Sequence, residues 1–405
     1  MKHALYFFNP EHDLALANND LNFNAPAPAR QLASDLLLIP VWFAPDGSGV
    51  AGSGESNEWL QSMQMLFPQL SNTKIYGSAD FKAVSSIVPW GWDAALCKQI
   101  SPGTGDSKTL DEPLKTLLPN ELQLKKIRDL SHRRTAIRAL QYLHAQTSLR
   151  GFLPHQGQEI SNIEMAKDFS VTHAQTIFKA PWSGSGKGLS WVRNGLTDSH
   201  LGWCRNIIAK QGSVIGEPIY PVVQDFAMEF SCTHTKVSFV GYSLFETEKG
   251  IYRSNLLMRD DAIFEQLTGK FIPPELLLSV QNHLLQFIET EIAPHYTGML
   301  GVDMFVYTEN GKFKLHPCVE INLRMTMGCV ARIFYDRFVH PEAKGHFYVD
   351  HYPAAGQLWN DHLQRKAQLP LSVENGKITA GYLALTDVRS SSHYRIRVEI
   401  LYDYP

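Results

Sequence analysis

Residues Gly301 to Gly328 read GVDMFVYTENGKFKLHPCVEINLRMTMG. GVDMFVY alternates apolar and polar positions, ENGK supplies a turn with glycine at a positive φ, and FKLHPCVEIN resumes the extended pattern. Two antiparallel strands are therefore expected. Asp303 falls near the start of the first, and Glu320 and Asn322 fall two apart near the end of the second, so those two project from one face. An antiparallel return of this length brings Asp303 opposite them. Two carboxylates and an amide oxygen make a hard, oxygen-only donor set, suited to Mg²⁺ bound together with nucleotide phosphates. An isolated hairpin with an acidic outer face has the same residues. Here the acids interrupt strongly apolar strands and Arg324 follows closely, which favours a site.

The chain has 405 residues, 44% of them hydrophobic and 19% charged, with a net charge of −3. Such a length suggests two or three packed subdomains, and such a composition excludes a largely disordered chain. No global basic field recruits nucleic acid. The cysteines (Cys97, Cys204, Cys232, Cys318, Cys329) lack CxxC spacing and read as reduced, mostly buried thiols. The opening MKHALYFFNPEHD is too short in apolar residues for a signal peptide, and no apolar run of about 18 residues occurs. A cytoplasmic enzyme with no membrane partner is expected; a homo-oligomer is compatible with the sequence.

Working outward, His3–Asn9 (HALYFFN) reads as a buried parallel strand, followed by a turn and a short helix over PEHDLALANND. LASDLLLIPVWFA reads as a helix end and a second strand through Phe43, and 47–56 as a Gly/Ser-rich loop. A helix at Trp59–Phe67, a strand at Lys74–Tyr76 and another within Val84–Trp92 complete an alternation that predicts a small open α/β sheet. Glu121–Gln146 is helix-forming with a break at Asp129–Ser131, where Ser131 is the expected cap. QTIFKAPWSGSGKGLSWV reads as strand, glycine-rich loop, strand. SVIGEPIYPVVQDFAMEF and KVSFVGYSLFETEKGIYRSNLL are extended, Pro274–Ile292 is helical, and GKITAGYLAL and YRIRVEILY are late strands.

Several residues qualify for chemistry. Lys179 ends a strand, and the loop Ser183, Gly184, Ser185, Gly186, Lys187, Gly188 lets backbone N–H groups approach phosphate. This is neither a Walker A loop nor GxGxxG, and a flexible hairpin explains it about as well alone. Glu217, Ile219 and Tyr220 offer backbone groups and an apolar wall to a purine, with Asp225 an acceptor for ribose hydroxyls; a proline-kinked strand is the bland account. Arg133 and Arg134 at a helix start, and Arg253 on a strand, are further cations. Glu11, His12 and Asp13 follow the first strand, at the carboxyl end of a sheet where open α/β folds hold ligands. A turn in which Asp13 caps the helix accounts for them equally. Trp90, Trp92 and Asp93 line the same crevice or simply pack.

In this order and at these spacings the segments resemble the ATP-grasp superfamily, from about Ser131 to Gly328. The resemblance implies an N-terminal α/β domain (1–125, on the substrate side), a small lobe with the glycine-rich flap (126–215) and a large lobe with the metal site (216–405). It assigns adenine and α-phosphate contacts to Lys179, the flap to Ser183–Gly188, the hinge to Glu217–Tyr220, and the ribose acid to Asp225. It gives the metal to Asp303, Glu320 and Asn322. Arg324 and Arg253 would act as catalytic cations, and Arg134 as the helix-start cation, with Arg133 a competitor for that place. Two departures stand out. The spacing from Glu217 leaves Gln224 or Asp225 for the ribose, and Gly301 stands where several ligases carry a cation, a charge that Arg253 is the candidate to supply. The implied cofactors are ATP and Mg²⁺, two ions, with Mn²⁺ able to substitute. The implied reaction joins a carboxylate to an amine, or less readily to a thiol, through an acylphosphate, both substrates being small molecules. A small-molecule kinase on the same clamp and a non-catalytic nucleotide-binding module are the alternatives.

Overall fold

A computed structural model describes residues 3–77, 84–101, 116–149, 153–154, 157–184, 188–233, 236–248 and 251–401. The first residues form a parallel sheet because each short apolar run is followed by a chain reversal that returns on the same side. Its strands are β1 (His3–Phe7), β2 (Gly49–Ala51), β3 (Lys74–Tyr76) and β4 (Val84–Pro89), in the order β3-β2-β1-β4. Helices α1 (His12–Asn18), α2 (Ala27–Asp35), α3 (Asn57–Leu66) and α4 (Ala94–Ile100) connect and flank it.

The expected strand through Phe43 does not form. Ile39–Trp42 is a 3₁₀ turn with Pro40 near its start, and the second strand lies at Gly49–Ala51, inside the stretch read as loop. IPVW is apolar because all four side chains plug a core, not because they sit in a sheet; Trp42 is fully buried and donates from Nε1 to Leu385 O at 2.5 Å. Apolarity alone does not distinguish a buried turn from a buried strand.

Two helices, α5 (Glu121–Leu130) and α6 (Arg134–His144), lead into a second, antiparallel sheet. Asn120 caps α5 with a capping box, whereas Ser131 does not cap α6: it stands at the C-cap of α5 with its hydroxyl donating back to Ile127 O, and α6 starts after Arg133 with no side-chain cap. The second sheet has the order β5-β8-β6-β7, from β5 (Gln158–Ile160), β6 (Thr176–Lys179), β7 (Leu189–Val192) and β8 (Val214–Pro218). Helices α7 (Ile163–Thr172) and α8 (Asp198–Gln211) pack on it and close a separate small core with Phe169, Phe178 and Cys204.

The third sheet has nine strands, paired antiparallel, in the order β13-β12-β9-β10-β11-β14-β17-β16-β15. They are β9 (Val222–Thr233), β10 (Lys236–Glu248), β11 (Ile251–Leu257), β12 (Gly298–Glu309), β13 (Lys312–Asn322), β14 (Lys344–His351), β15 (Ser372–Glu374), β16 (Lys377–Ala384) and β17 (Tyr394–Leu401). The helices are α9 (Asp260–Lys270), α10 (Pro274–Glu291), α11 (Met327–Phe338) and α12 (Gln357–Gln368). One face of β9 and β12 is apolar: Phe226, Met228, Phe230, Val302, Met304 and Val306 form one core with Leu140 of α6 and Leu284 of α10. Residues one position away in the period-2 pattern face the other side. That opposite face carries Asp225, Glu229, Asp303, Glu320 and Asn322, since Asp303 pairs with both Glu320 and Ala227, and Gly301 with both Asn322 and Glu229. No described helix is long and apolar enough to cross a membrane, and the five cysteines are buried and unpaired with one another.

Candidate active site

The hairpin forms in the anticipated register, with Asp303 directly across from Glu320. Asn322 Nδ2 donates to Asp303 Oδ2 at 3.0 Å, so all three oxygen-bearing side chains meet. Burial, and next the Glu320 carboxylate beside it, pushes the Asp303 carboxyl up to about 7. Two acids are forced together in a desolvated place, and the arginines nearby leave part of their mutual repulsion unrelieved. A divalent cation relieves it, so these residues fit one. Among the described residues no group of three or more His, Cys, Asp or Glu is arranged to hold a metal. A set of two carboxylates and one amide therefore suits an ion that draws its remaining ligands from phosphates and water.

Cations ring the acids. Arg133 is buried; its NH1 lies 2.8 Å from Glu320 Oε2, its Nε donates to Ala180 O at 3.0 Å and its NH2 to Ser183 Oγ at 3.3 Å. Arg134 turns away, at 3.3 Å from Asp129 and 3.6 Å from Glu159, and is 40% exposed. Of the two neighbours left open by the sequence, Arg133 is the one brought to the carboxylates. Arg324 donates from Nε to Asp13 Oδ1 at 3.0 Å and from NH2 to Asn322 Oδ1 at 3.1 Å, with NH2 2.9 Å from Asp13 Oδ2. Burial works against the Arg324 charge, but Asp13 outweighs it and holds the guanidinium more firmly protonated than usual. Arg253 is exposed on β11, with β9 and β10 between it and β12, and does not join this cluster.

Beside Gly301, where the sequence lacks a cation, stands an acid. A Cβ there would come within 2.6 Å of Glu229 Oε2, so the carboxylate of Glu229 fills the space. Glu229 is buried and accepts from Thr326 Oγ1 at 3.0 Å and from Cys329 Sγ at 3.1 Å. Burial pushes it to about 7 as well. Its only sequence signal was a lone acid in the apolar run FAMEF.

On the second sheet, Lys179 Nζ and Glu217 Oε2 form a buried pair at 2.6 Å. Burial pushes Glu217 upward, but the Lys179 charge outweighs it and leaves the carboxyl below its ordinary range. Ile219 N donates to Gln175 O at 3.1 Å. Tyr220 crosses to the large sheet, its ring centroid 5.8 Å from Phe305, 4.6 Å from Tyr307 and 5.7 Å from His316. His316, which the sequence reading missed, is buried with Nδ1 lacking a hydrogen-bond partner among the described residues, and burial takes its ring down to about 4. Asp225 pairs with Phe305 and so shares the Asp303 face, accepting from Thr247 Oγ1 at 2.8 Å; Gln224 is one residue out of phase. The glycine-rich loop joins β6 to β7 as expected, with Ala180 N donating to Gly188 O at 2.8 Å. Ser185, Gly186 and Lys187 lie outside the described residues.

Two of the N-terminal triplet, His12 and Asp13, form the opposite wall, and Glu11 does not line it. Asp13 is not a helix cap: the α1 N-cap position is Glu11, whose side chain makes no capping hydrogen bond, and Asp13 is committed to Arg324. A Cβ on Gly184 would lie 2.4 Å from Asp13 Oδ2, so the start of the loop rests on this acid. His12 Nδ1 lies 3.2 Å from Asp93 Oδ2. One cavity is lined by His12, Asp13, Trp182, Ser183, Glu320, Asn322 and Arg324, so three separate sequence regions share it.

A parallel α/β domain, a small antiparallel sheet with a glycine-rich loop, and a large antiparallel sheet carrying acids on its inner face together make the ATP-grasp fold. No family model and no curated protein sequence matches the chain. Solved structures do. An N5-carboxyaminoimidazole ribonucleotide synthetase in its ADP complex aligns with a TM-score of 0.50 at 10% identity, over 99% of this chain and 92% of its own. Biotin carboxylase from Campylobacter jejuni, in a β,γ-ATP complex, aligns with a TM-score of 0.51 at 10% identity, over 100% of this chain and 88% of its own. At such identity the likeness is one of fold.

Proposed function

We propose that this protein is an ATP- and Mg²⁺-dependent ligase that joins a carboxylate to an amine through an acylphosphate. The observation that carries the reading is the shared cavity: Glu320, Asn322 and Arg324 on one wall, His12 and Asp13 on the other. The division at 1–125, 126–215 and 216–405 fits this use, with substrate held on the first part and nucleotide between the other two. Lys179, the loop from Ser183 to Gly188, Glu217, Ile219, Tyr220 and Asp225 would hold ATP between the sheets. The aromatic cluster of Tyr220, Phe305 and His316 would give a purine an apolar surface to pack on.

Asp303, Glu320 and Asn322 would hold Mg²⁺, which would supply positive charge to offset that on the transferring phosphoryl group. Arg133 and Arg324 are the cations that reach the same point. Both are already oriented by carboxylates, Glu320 and Asp13, and would present their other N–H groups to a phosphate or substrate carboxylate while keeping those pairs. Catalysis on this plan is positioning and electrostatic stabilisation, with no nucleophilic side chain. The ATP and ADP complexes of the two related folds support nucleotide binding.

The test is an ADP-release screen over amino acids and small carboxylates paired with amines, with mass spectrometry of the product. An amide plus ADP and phosphate is expected, and Asp303→Ala and Glu320→Ala should abolish it. ATP turnover that survives both substitutions, or a phosphorylated hydroxyl product instead of an amide, would overturn the reading.

A further inference from the structure

When an amine attacks an acylphosphate, the C–N bond forms, the C–O bond to phosphate breaks, and phosphate departs with the electron pair. The nitrogen must also lose a proton. Around the cavity, Arg324 has none to accept, Asp13 is held by Arg324, and Glu320 is held by Arg133. Ser131 and Ser183 carry hydroxyls and are no bases at neutral pH. One side chain on that wall has a basic nitrogen left over.

Resting on the ligase reading above, we propose that His12 is the general base that takes the proton from the attacking amine, and that Asp93 is its positioning residue. His12 is buried yet lines the cavity. Its Nδ1 faces Asp93 Oδ2 at 3.2 Å, while Nε2 makes no hydrogen bond to any described residue. A carboxylate on Nδ1 selects the tautomer with the proton there, leaving the Nε2 lone pair for the substrate. The same carboxylate stabilises the imidazolium that forms when Nε2 takes the proton.

Asp93 is itself fixed. Oδ1 accepts from Leu96 N at 2.8 Å at the start of α4, and Oδ2 accepts from Asn9 Nδ2 at 3.2 Å. Asn9 also donates to Gly91 O at 2.8 Å, and His12 N donates to Asn9 O at 3.2 Å, so both ends of the dyad hang from one asparagine. Residue 91 must be glycine here: a Cβ would come within 2.5 Å of the His12 ring. Next to it, Trp90 O accepts from Met325 N at 2.8 Å, tying this corner to the segment that carries Arg324. The motifs NPEHD and PWGWD, far apart in sequence, are thus one constellation. A helix cap alone needs Asp93 but not a histidine turned into the cavity.

The experiment uses the full chain, the acid and amine that score in the ADP-release screen, and hydroxylamine as a second nucleophile. Hydroxylamine is neutral at working pH and needs little help from a base, so it reports acylphosphate formation. In His12→Asn the ratio of amide to hydroxamate should fall about 10²-fold or more, with imidazole restoring part of it. Ring-¹⁵N NMR of the wild type should show His12 protonated at Nδ1 and bare at Nε2, and Asp93→Asn should produce a mixture of tautomers. An unchanged amide-to-hydroxamate ratio in His12→Asn, or a proton on Nε2 in the wild type, overturns the assignment and leaves the ligase reading standing. No ADP release with any acid overturns the ligase reading and this assignment with it.

Discussion

Replacing Asp303 with asparagine should make the ligand-free protein more stable at pH 8 while removing its response to Mg²⁺. An ordinary aspartate titrates near 3.9, whereas burial and the neighbouring Glu320 push Asp303 to about 7. Because the folded value is raised, the unfolded chain gives up this proton first. Stability present below about pH 4 is lost progressively as pH climbs to about 7. Three pH units at 1.36 kcal/mol each set an upper figure of about 4 kcal/mol, and relaxation of the acid pair brings the working range to about 2–4 kcal/mol. Asparagine keeps the size and one acceptor for Asn322, so little else changes. Urea unfolding of wild type and Asp303→Asn should therefore coincide near pH 4 and separate by that amount at pH 8. Adding Mg²⁺ with a non-hydrolysable ATP analogue should stabilise the wild type and leave the variant nearly unmoved. If Asp303→Asn is no more stable than wild type at pH 8, or gains as much from Mg²⁺, the reasoning fails.

The two adjacent arginines should separate cleanly. Arg133→Ala should lower ATP turnover about 100-fold or more, while Arg134→Ala should stay within about threefold, because its half-exposed pairs are worth less than about 1 kcal/mol. Steady-state ADP release decides. Lys179→Met should cost about 3–5 kcal/mol by leaving Glu217 buried without its partner. The Glu217 carboxyl then rises rather than falls, so denaturant titrations should show a larger loss at pH 8 than at pH 5. Lys179→Met combined with Glu217→Leu should recover stability without recovering nucleotide binding.

The hairpin around Asp303 was legible because period-2 patterning, a glycine turn and paired acids agree, and a one-residue slip would have put the acids into the apolar core. The flap strands and the hinge were legible for similar reasons. What escaped notice was set by distant packing. Ile39–Trp42 is apolar for the sake of α11 and β16, which no local pattern reveals. The choice between Arg133 and Arg134 depends on the phase of α6 relative to β13, and both residues look alike in sequence. Asp13 offered itself as a cap and instead bonds Arg324, a group that only the folded chain supplies; Ser131 offered another and instead donates one turn back to Ile127 O. His316 sits in a strand where a histidine carries no message of its own, and Glu229 had only the oddity of an acid among apolar neighbours.

The core shared by Phe8, Trp42, Phe67 and Trp90 with Phe334, Phe338, Ile378 and Val398 has a bearing on how chains of this fold diversify. Grafting on a foreign front end would strip cover from the far side of the chain unless α11 and the closing strands were recut to match. The lobe bearing the glycine-rich loop, whose filling of Phe169, Phe178 and Cys204 is its own, is by contrast the piece that tolerates exchange as a cassette.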